Sequence, residues 1–387
     1  MTNELLFCRI ELNFGGCIMK QDNDLIKMMK DISKELPFLE EMLQNDIRIL
    51  RSDEPGAEIA AQLQAVINGN PGEVYFDKPY LVTTENQRFI GKILPPDANH
   101  VASILGSVDN VFECVAEGVG TIHVWDTNSL QNAVYHLKRA SILTLSPKEY
   151  DQFLVDYTSK RYLSNDVFKT VKQAIADECY QNAWDVIFGM NPQEDLKNYL
   201  FKGPGIDLSK LRYGLPYLKN KSRYYTVREN LPKTDIAISN EDIISGILSS
   251  SETFDFIDFS NTLLFIYQLD CNSDVEEFHT KIKQVKDIYD NHLNPGGVMM
   301  LDYWFGARPE KLSSYVSTNP EEEKTLEIYQ HTYDLLDRHF DLETCSVEPI
   351  LNGLFTQKFD FATGKVKPFT LNPIDNRDTV IYTKKRK

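Results

Sequence analysis

Basic charge is scarce in this chain. Its 387 residues hold 41 lysines and arginines against 57 aspartates and glutamates, a formal net charge of -16. A phosphate backbone would on average be repelled, so nucleic acid is not an expected partner. The one basic cluster, Lys384, Lys385, Arg386 and Lys387, reads as a solvated end. Cysteine is sparse and scattered: Cys8, Cys17, Cys114, Cys179, Cys271 and Cys345 form no C-x-x-C pair and have no histidine at metal-ligand spacing. That excludes a thiolate metal cluster and predicts reduced, mostly buried thiols. No run approaches the ~18 apolar residues of a membrane span, and Leu5 to Cys8 is too short for a signal-peptide core. The expectation is a soluble, cytoplasmic protein without a transmembrane segment. A Ser/His/Asp nucleophile elbow is missing as well.

What is present is a globular balance, 42% hydrophobic and 25% charged, over a length that makes two domains or one large domain with an insertion. Leu25, Met28, Met29, Ile32, Leu36, Leu39 and Leu43 recur at helical steps, and Ile59, Leu63, Val66 and Ile67 repeat the pattern beyond Pro55 and Gly56. With a connector that carries Tyr80, Thr83, Thr84, Glu85 and Gln87, residues 1–96 are expected to form a mainly helical N-terminal subdomain. From His100 strands and helices alternate: Val101 to Leu105, a helix over Val111 to Glu117, Thr121 to Trp125, and a helix from Leu130 to about Leu143. Strand signals resume at Asp235 to Ser239, Phe254 to Phe259 and Val298 to Tyr303, with a helix over Val275 to Leu293. His339 to Val347 and Thr379 to Thr383 read as an antiparallel pair at the sheet edge. This alternation predicts an α/β, Rossmann-like domain over 97–387 with a cleft at the strand carboxyl ends. A helical insertion at about 147–233 is expected to cover that cleft.

The turn after Leu105 is the first candidate site. Gly106 lets the backbone approach a ligand closely, Ser107 follows it, and the next helix presents unpaired N–H groups. Asp126 comes 20 residues after Gly106, at the end of the next strand, where a carboxylate can accept both hydroxyls of a ribose. A plain strand-to-helix turn with a helix-capping aspartate is the alternative. Of a dinucleotide fingerprint only the first glycine is present, with Val108 and Val111 at the other positions, and no P-loop lysine follows. NAD, FAD and ATP are thereby disfavoured. A cofactor with a ribose but no phosphate fits better, and S-adenosyl-L-methionine is the common one.

The turn at Gly106, the acidic strand end at Asp126, the Asn240, Glu241, Asp242 segment after the third strand, and the turn from Leu293 to Gly297 into Val298 resemble, in that order, the landmarks of class I S-adenosylmethionine-dependent transferases. A narrower string is similar to the bacterial betaine-lipid synthases: Asp126, Asn128, Gln131, Leu137, Lys138 and Ala140, then Leu145 and Tyr150, with Phe259, Ser260 and Asn261. Those enzymes transfer a 3-amino-3-carboxypropyl group from S-adenosylmethionine to diacylglycerol. The resemblance implies that Gly106, Ser107, Asp126 and Asn128 bind the cofactor, with Asp126 on the ribose and Asn240 or Asp242 on the adenine edge. At the end of the fourth strand, Ser260 and Asn261 point into the cleft and can hold the methionine ammonium or position an acceptor, and the Asp302, Tyr303 pair that ends the fifth strand can meet the acceptor, with capping and packing as the alternative. Asp242 serves equally as a helix N-cap, and Ser260 and Asn261 as strand-terminal caps.

A sulfonium has three electrophilic carbons, and the enzyme selects the product by which one faces the nucleophile. The expected reaction is aminocarboxypropyl transfer to a small-molecule or lipid acceptor, leaving methylthioadenosine. Methyl transfer and intramolecular cyclisation to azetidine-2-carboxylate are alternatives, as is a non-enzymatic binding protein on the same fold. Tyr80, Trp125, Tyr180, Tyr225 and Tyr303 are candidates for cation–π contact with the sulfonium.

Overall fold

The computed structural model describes residues 80–156, 158–189, 211–267, 271, 274–316, 320–350, 354–360, 365–371 and 373–387. The helices expected between Asp22 and Ile67 lie outside them. From His100 the alternation takes shape as β1 (His100–Ile104), α1 (Asp109–Ala116), β2 (Thr121–Trp125) and α2 (Ser129–Thr144). The insertion supplies α3 (Asn165–Lys172), α4 (Glu178–Gly189) and α5 (Lys221–Asn230). There follow β3 (Asp235–Ser239), α6 (Ile243–Ser249), β4 (Phe254–Asp258), α7 (Val275–Asn291) and β5 (Leu293–Trp304). The chain closes with α8 (Pro320–His339), β6 (Leu342–Val347), β7 (Leu354–Asp360), β8 (Lys365–Leu371) and β9 (Asp378–Lys384).

Seven strands form one sheet in the order β3-β2-β1-β4-β5-β9-β6. The first five are parallel, and β9 runs antiparallel between β5 and β6. After β3 the chain returns to the far side of β1, so a topological switch point lies between β1 and β4. In open α/β sheets ligands bind outside the strand carboxyl ends at this point. Period-two burial sends Val101, Phe256, Met300, Tyr303 and Val380 into one core, with Val111, Phe112 and Leu137 of α1 and α2. It sends Ala102, Ile257, Met299, Trp304 and Ile381 into the other, with Ile247, Phe278, Ile282 and Leu336 of α6, α7 and α8.

Three differences from the sequence expectation have physical causes. The turn at Pro295 to Gly297 is absorbed into the start of β5: Gly296 takes a φ of +84°, and the pairing with β4 shifts register between Phe254 and Phe256, a bulge that glycine tolerates. His339 ends α8 instead of opening a strand, and β6 starts at Leu342. The helical insertion expected at about 147–233 is interrupted between α3 and α4, where the Asp177 carboxylate takes the Cys179 N–H (2.8 Å) and starts a new helix.

The insertion packs on α1 and α2. Trp184 donates its indole N–H to the Ala133 carbonyl (2.7 Å), Tyr224 donates to the Leu145 carbonyl (3.0 Å), and Tyr150, Phe153, Trp184, Tyr217 and Tyr224 are all buried. Each such ring stabilises the seam by about 1.5–3 kcal/mol through area removed from water.

Candidate active site

A cavity of about 290 Å³ opens at the switch point, near the lower end of ligand-pocket sizes. Its floor is made by strand ends: Ile104, Gly106 and Ser107 after β1, Asp126, Thr127 and Asn128 after β2, and Ser260, Asn261 and Thr262 after β4. Asp242 and Ile243 at the start of α6, Phe265 and Lys281 form a side wall. Tyr80, Thr83, Thr84 and Glu85, from the stretch preceding the sheet, cover the opposite side.

Asp126 links two of these loops. Its Oδ2 accepts the Gly106 N–H (3.1 Å) and its Oδ1 the Asn128 N–H (2.9 Å), which leaves each oxygen a lone pair for a ligand. Burial pushes its pKa up to about 7, against the pull of those two N–H groups. Gly106 sits at φ +47° and Val108 at +73°, a costly conformation for a β-branched residue and one that clusters at ligand sites. Ser260 is the third such residue at this rim, at φ +53°.

The Tyr80 to Asn86 segment is tied across the cavity by the string of residues that follows Asp126. Gln131 grips the Tyr80 backbone twice, Oε1 accepting its N–H (2.7 Å) and Nε2 donating to its carbonyl (2.9 Å). The Lys138 ammonium, almost wholly buried, donates to the carbonyls of Leu81 (3.0 Å) and Ser107 (2.6 Å) and to Asp109 Oδ1 (2.5 Å). Asp109 in turn accepts from the Thr83 N–H (2.8 Å), the Ser107 hydroxyl (2.9 Å) and the Tyr217 hydroxyl (2.7 Å). Asn128 caps α2 by accepting the Leu130 N–H (3.0 Å).

Glu85 is the chemically distinctive member. Its Oε1 accepts the Ser260 hydroxyl at 2.6 Å, joining the covering segment to the end of β4. Burial, and then the charge of Asp258, push its pKa up to about 8. Asp258 lies beneath, its Oδ1 holding the Ser260 N–H (2.8 Å), and burial pushes it up to about 6. The lining thus carries three acidic side chains, Glu85, Asp126 and Asp242, against Lys281 alone among the described residues; with Glu85 raised to about 8 and Asp126 to about 7, the attraction for a cationic ligand grows as pH rises toward 8.

Of the nine residues singled out in the sequence, Gly106, Ser107, Asp126, Asn128, Asp242, Ser260 and Asn261 line this one cavity, and Asn240 and Tyr303 do not. Asn240 is exposed beyond the end of β3. Tyr303 is fully buried behind the cavity; its hydroxyl accepts the Asn86 N–H (3.0 Å) and donates to Asp378 Oδ2 (2.7 Å), so it braces the residue next to Glu85. Asp242 also caps α6, accepting the Ser245 N–H (3.0 Å). Among the aromatic candidates Tyr80 lines the cavity; Tyr180 stacks on His136 and Trp125 on His123. No described residue of the insertion lines it, because the insertion's rings are spent against α1 and α2. Thr83, Thr84 and Glu85 perform the covering role, and a threonine pair with a carboxylate in a connector carried no periodic signal by which to find them.

No protein-family model matches the chain, and no curated protein matches it. Among solved structures, the chain is similar to a crystallographic structure of precorrin 8W decarboxylase from Methanobacterium thermoautotrophicum, at 10% identity over 77% of this chain and 88% of that one, with a TM-score of 0.27. A likeness of that size carries no argument about function.

Proposed function

We propose that the protein is an S-adenosyl-L-methionine-dependent transferase that moves the 3-amino-3-carboxypropyl group to a small nucleophile and releases methylthioadenosine. The observation that carries this reading is one cavity at the switch point that joins a ribose-competent carboxylate, Asp126, to a second buried carboxylate, Glu85, with Lys281 as its single described cation. A pyrophosphate would face three acidic side chains with one described cation, without the glycine-rich turn that seats it on backbone N–H groups. A sulfonium with an ammonium arm brings positive charge to the acidic side, and its carboxylate can turn to Lys281. The seven-stranded order with an antiparallel strand inserted before the edge is also the sheet expected of class I S-adenosylmethionine-dependent transferases, the class resembled by the sequence landmarks.

In this reading Asp126 holds the ribose hydroxyls, the Gly106 turn approaches the amino-acid arm, Ile243 packs on the adenine and Asp242 reaches its amino edge. Ser260 and Asn261 lie where the arm and the acceptor would meet. The small cavity favours a small acceptor over a lipid. Titration calorimetry with S-adenosylmethionine, followed by chromatography of the nucleoside product, tests the proposal. Binding and methylthioadenosine are the expected results. Absence of binding heat would refute the cofactor, and S-adenosylhomocysteine as the sole product would replace this reading with methyl transfer.

A further inference from the structure

The residue left over once the cofactor is assigned is Glu85. It reaches the cavity from the covering segment, opposite the carboxyl ends of β1 and β2, and is fixed there from three sides. The Ser260 hydroxyl meets its carboxyl at 2.6 Å, its own N–H is held by the Thr83 hydroxyl (3.0 Å), and the next N–H by Tyr303 (3.0 Å). A structural carboxylate at 4% exposure would be expected to carry a buried cation or several backbone donors. Among the described residues Glu85 has neither: the groups that act on it are Asp258, Asp302, Ser260 and Gln87. Beyond Asn86 lie Tyr303 and Asp378, and Lys281 stands on the wall of the cavity.

We propose that the nucleophile is an amine and that Glu85 is the base that takes its proton, with Ser260 aiming the carboxyl. This rests on the cofactor reading above. The amine lone pair attacks the carbon next to sulfur in the amino-acid arm, and a C–N bond forms. The C–S bond breaks with its electron pair passing to sulfur, which leaves as the neutral thioether of methylthioadenosine, and the N–H proton passes to Glu85. An ordinary carboxylate is too weak a base for a proton held by nitrogen near pKa 10, but a carboxyl raised to about 8 narrows that gap to about two units. A thiol of pKa about 8.5 ionises in part at pH 8 without a protein base, and a phosphorylated acceptor would face Glu85, Asp126 and Asp242. Two sources of amine satisfy the geometry, a separate small amine or the cofactor's own amino group folding back on its arm.

The test uses the full chain with S-adenosylmethionine alone and with ethanolamine, 2-mercaptoethanol or ethylene glycol, three probes of one shape that differ in nucleophile. Methylthioadenosine and the amino-acid product are both read. Faster release with ethanolamine and an N-alkylated product identify a separate amine. Equal release in all four mixtures with a four-membered cyclic amino acid identifies the cofactor's own. Either supports the proposal. Glu85→Gln is expected to lower kcat by about 10²- to 10⁴-fold, to remove the rise of kcat/KM with pH toward 8, and to leave the calorimetric affinity for S-adenosylmethionine within tenfold. Glu85→Asp should restore part of the rate. Faster reaction with the thiol or the glycol, wild-type binding without methylthioadenosine, or a Glu85→Gln variant within twofold of wild type would overturn it. Failure of the wild type to bind S-adenosylmethionine would instead refute the cofactor reading.

Discussion

Replacing Lys138 by methionine keeps most of the buried stem and deletes the charge that ties the covering segment to the sheet. Lys138 and Asp109 are 1% and 0% exposed, and all three ammonium protons have partners: Leu81 O, Ser107 O and Asp109 Oδ1. Breaking a buried pair from one side typically costs about 3–5 kcal/mol, because the remaining charge is stranded away from water. Here Asp109 keeps three other donors, Thr83, Ser107 and Tyr217, which argues for the lower end. Two carbonyls lose a donor, at about 1 kcal/mol each, which argues back toward the middle. At about 2 °C per kcal/mol for a domain of this size, the melting temperature should fall by roughly 6–10 °C in a calorimetric or circular-dichroism scan at pH 7. Adding Asp109→Asn to Lys138→Met removes the stranded charge and should recover about 1–2 kcal/mol of the loss. A single variant that melts within 2 °C of wild type, or a double variant that melts below the single, would refute the reasoning.

Asp126→Ala removes a carboxylate that retains one lone pair on each oxygen for a ribose; at about 1.5–3 kcal/mol for a charge-assisted bond, the Kd for S-adenosylmethionine should rise roughly 10- to 150-fold by calorimetry. Glu85, Glu113, Asp126 and Asp302 have folded pKa values raised to between about 7 and 8 by burial. The folded state therefore holds protons that the unfolded chain has already released. The stability they contribute is full below pH 3.8 for the aspartates and 4.5 for the glutamates and is lost as pH rises to about 7–8, at up to about 1.4 kcal/mol per group per pH unit. His136, lowered to about 4 by burial, works the other way and costs stability as pH falls from 6.5 toward 4. Four carboxyls outweigh one imidazole, so the melting temperature should decline as pH rises from about 5 to 8, and a curve rising across that range would contradict these shifts. Gly246→Ala would bring a Cβ to 2.1 Å from the Trp125 indole nitrogen; the overpacking should cost about 1–3 kcal/mol, measured as a lower urea midpoint at unchanged slope.

The α/β alternation from His100 onward was legible because hydrophobic periodicity is local: β1 to β5 and the helices between them lie within a few residues of where the pattern puts them. The Gly106 turn and Asp126 were legible as strand ends for the same reason, since what terminates each strand is marked locally. Residues 80–86 have no period, and nothing near them in sequence says that they cross a cavity. Their place is set by Gln131, 51 residues away, by Lys138 and Asp109, and by Tyr303 and Ser260, 217 and 175 residues away. For the same reason the Asp126 to Lys138 string, which reads in sequence as a cofactor signature, turns out in three dimensions to divide its work. Asp126 faces the cavity, Gln131 lines it and also grips the Tyr80 backbone, and Lys138 holds the covering segment from behind. Local pattern fixes which backbone hydrogen bonds a segment can satisfy by itself, and so the elements and the switch point between them. Which buried carboxylate meets which hydroxyl depends on the closure of long loops around two separate cores, and only the tertiary structure brought Glu85 to Ser260.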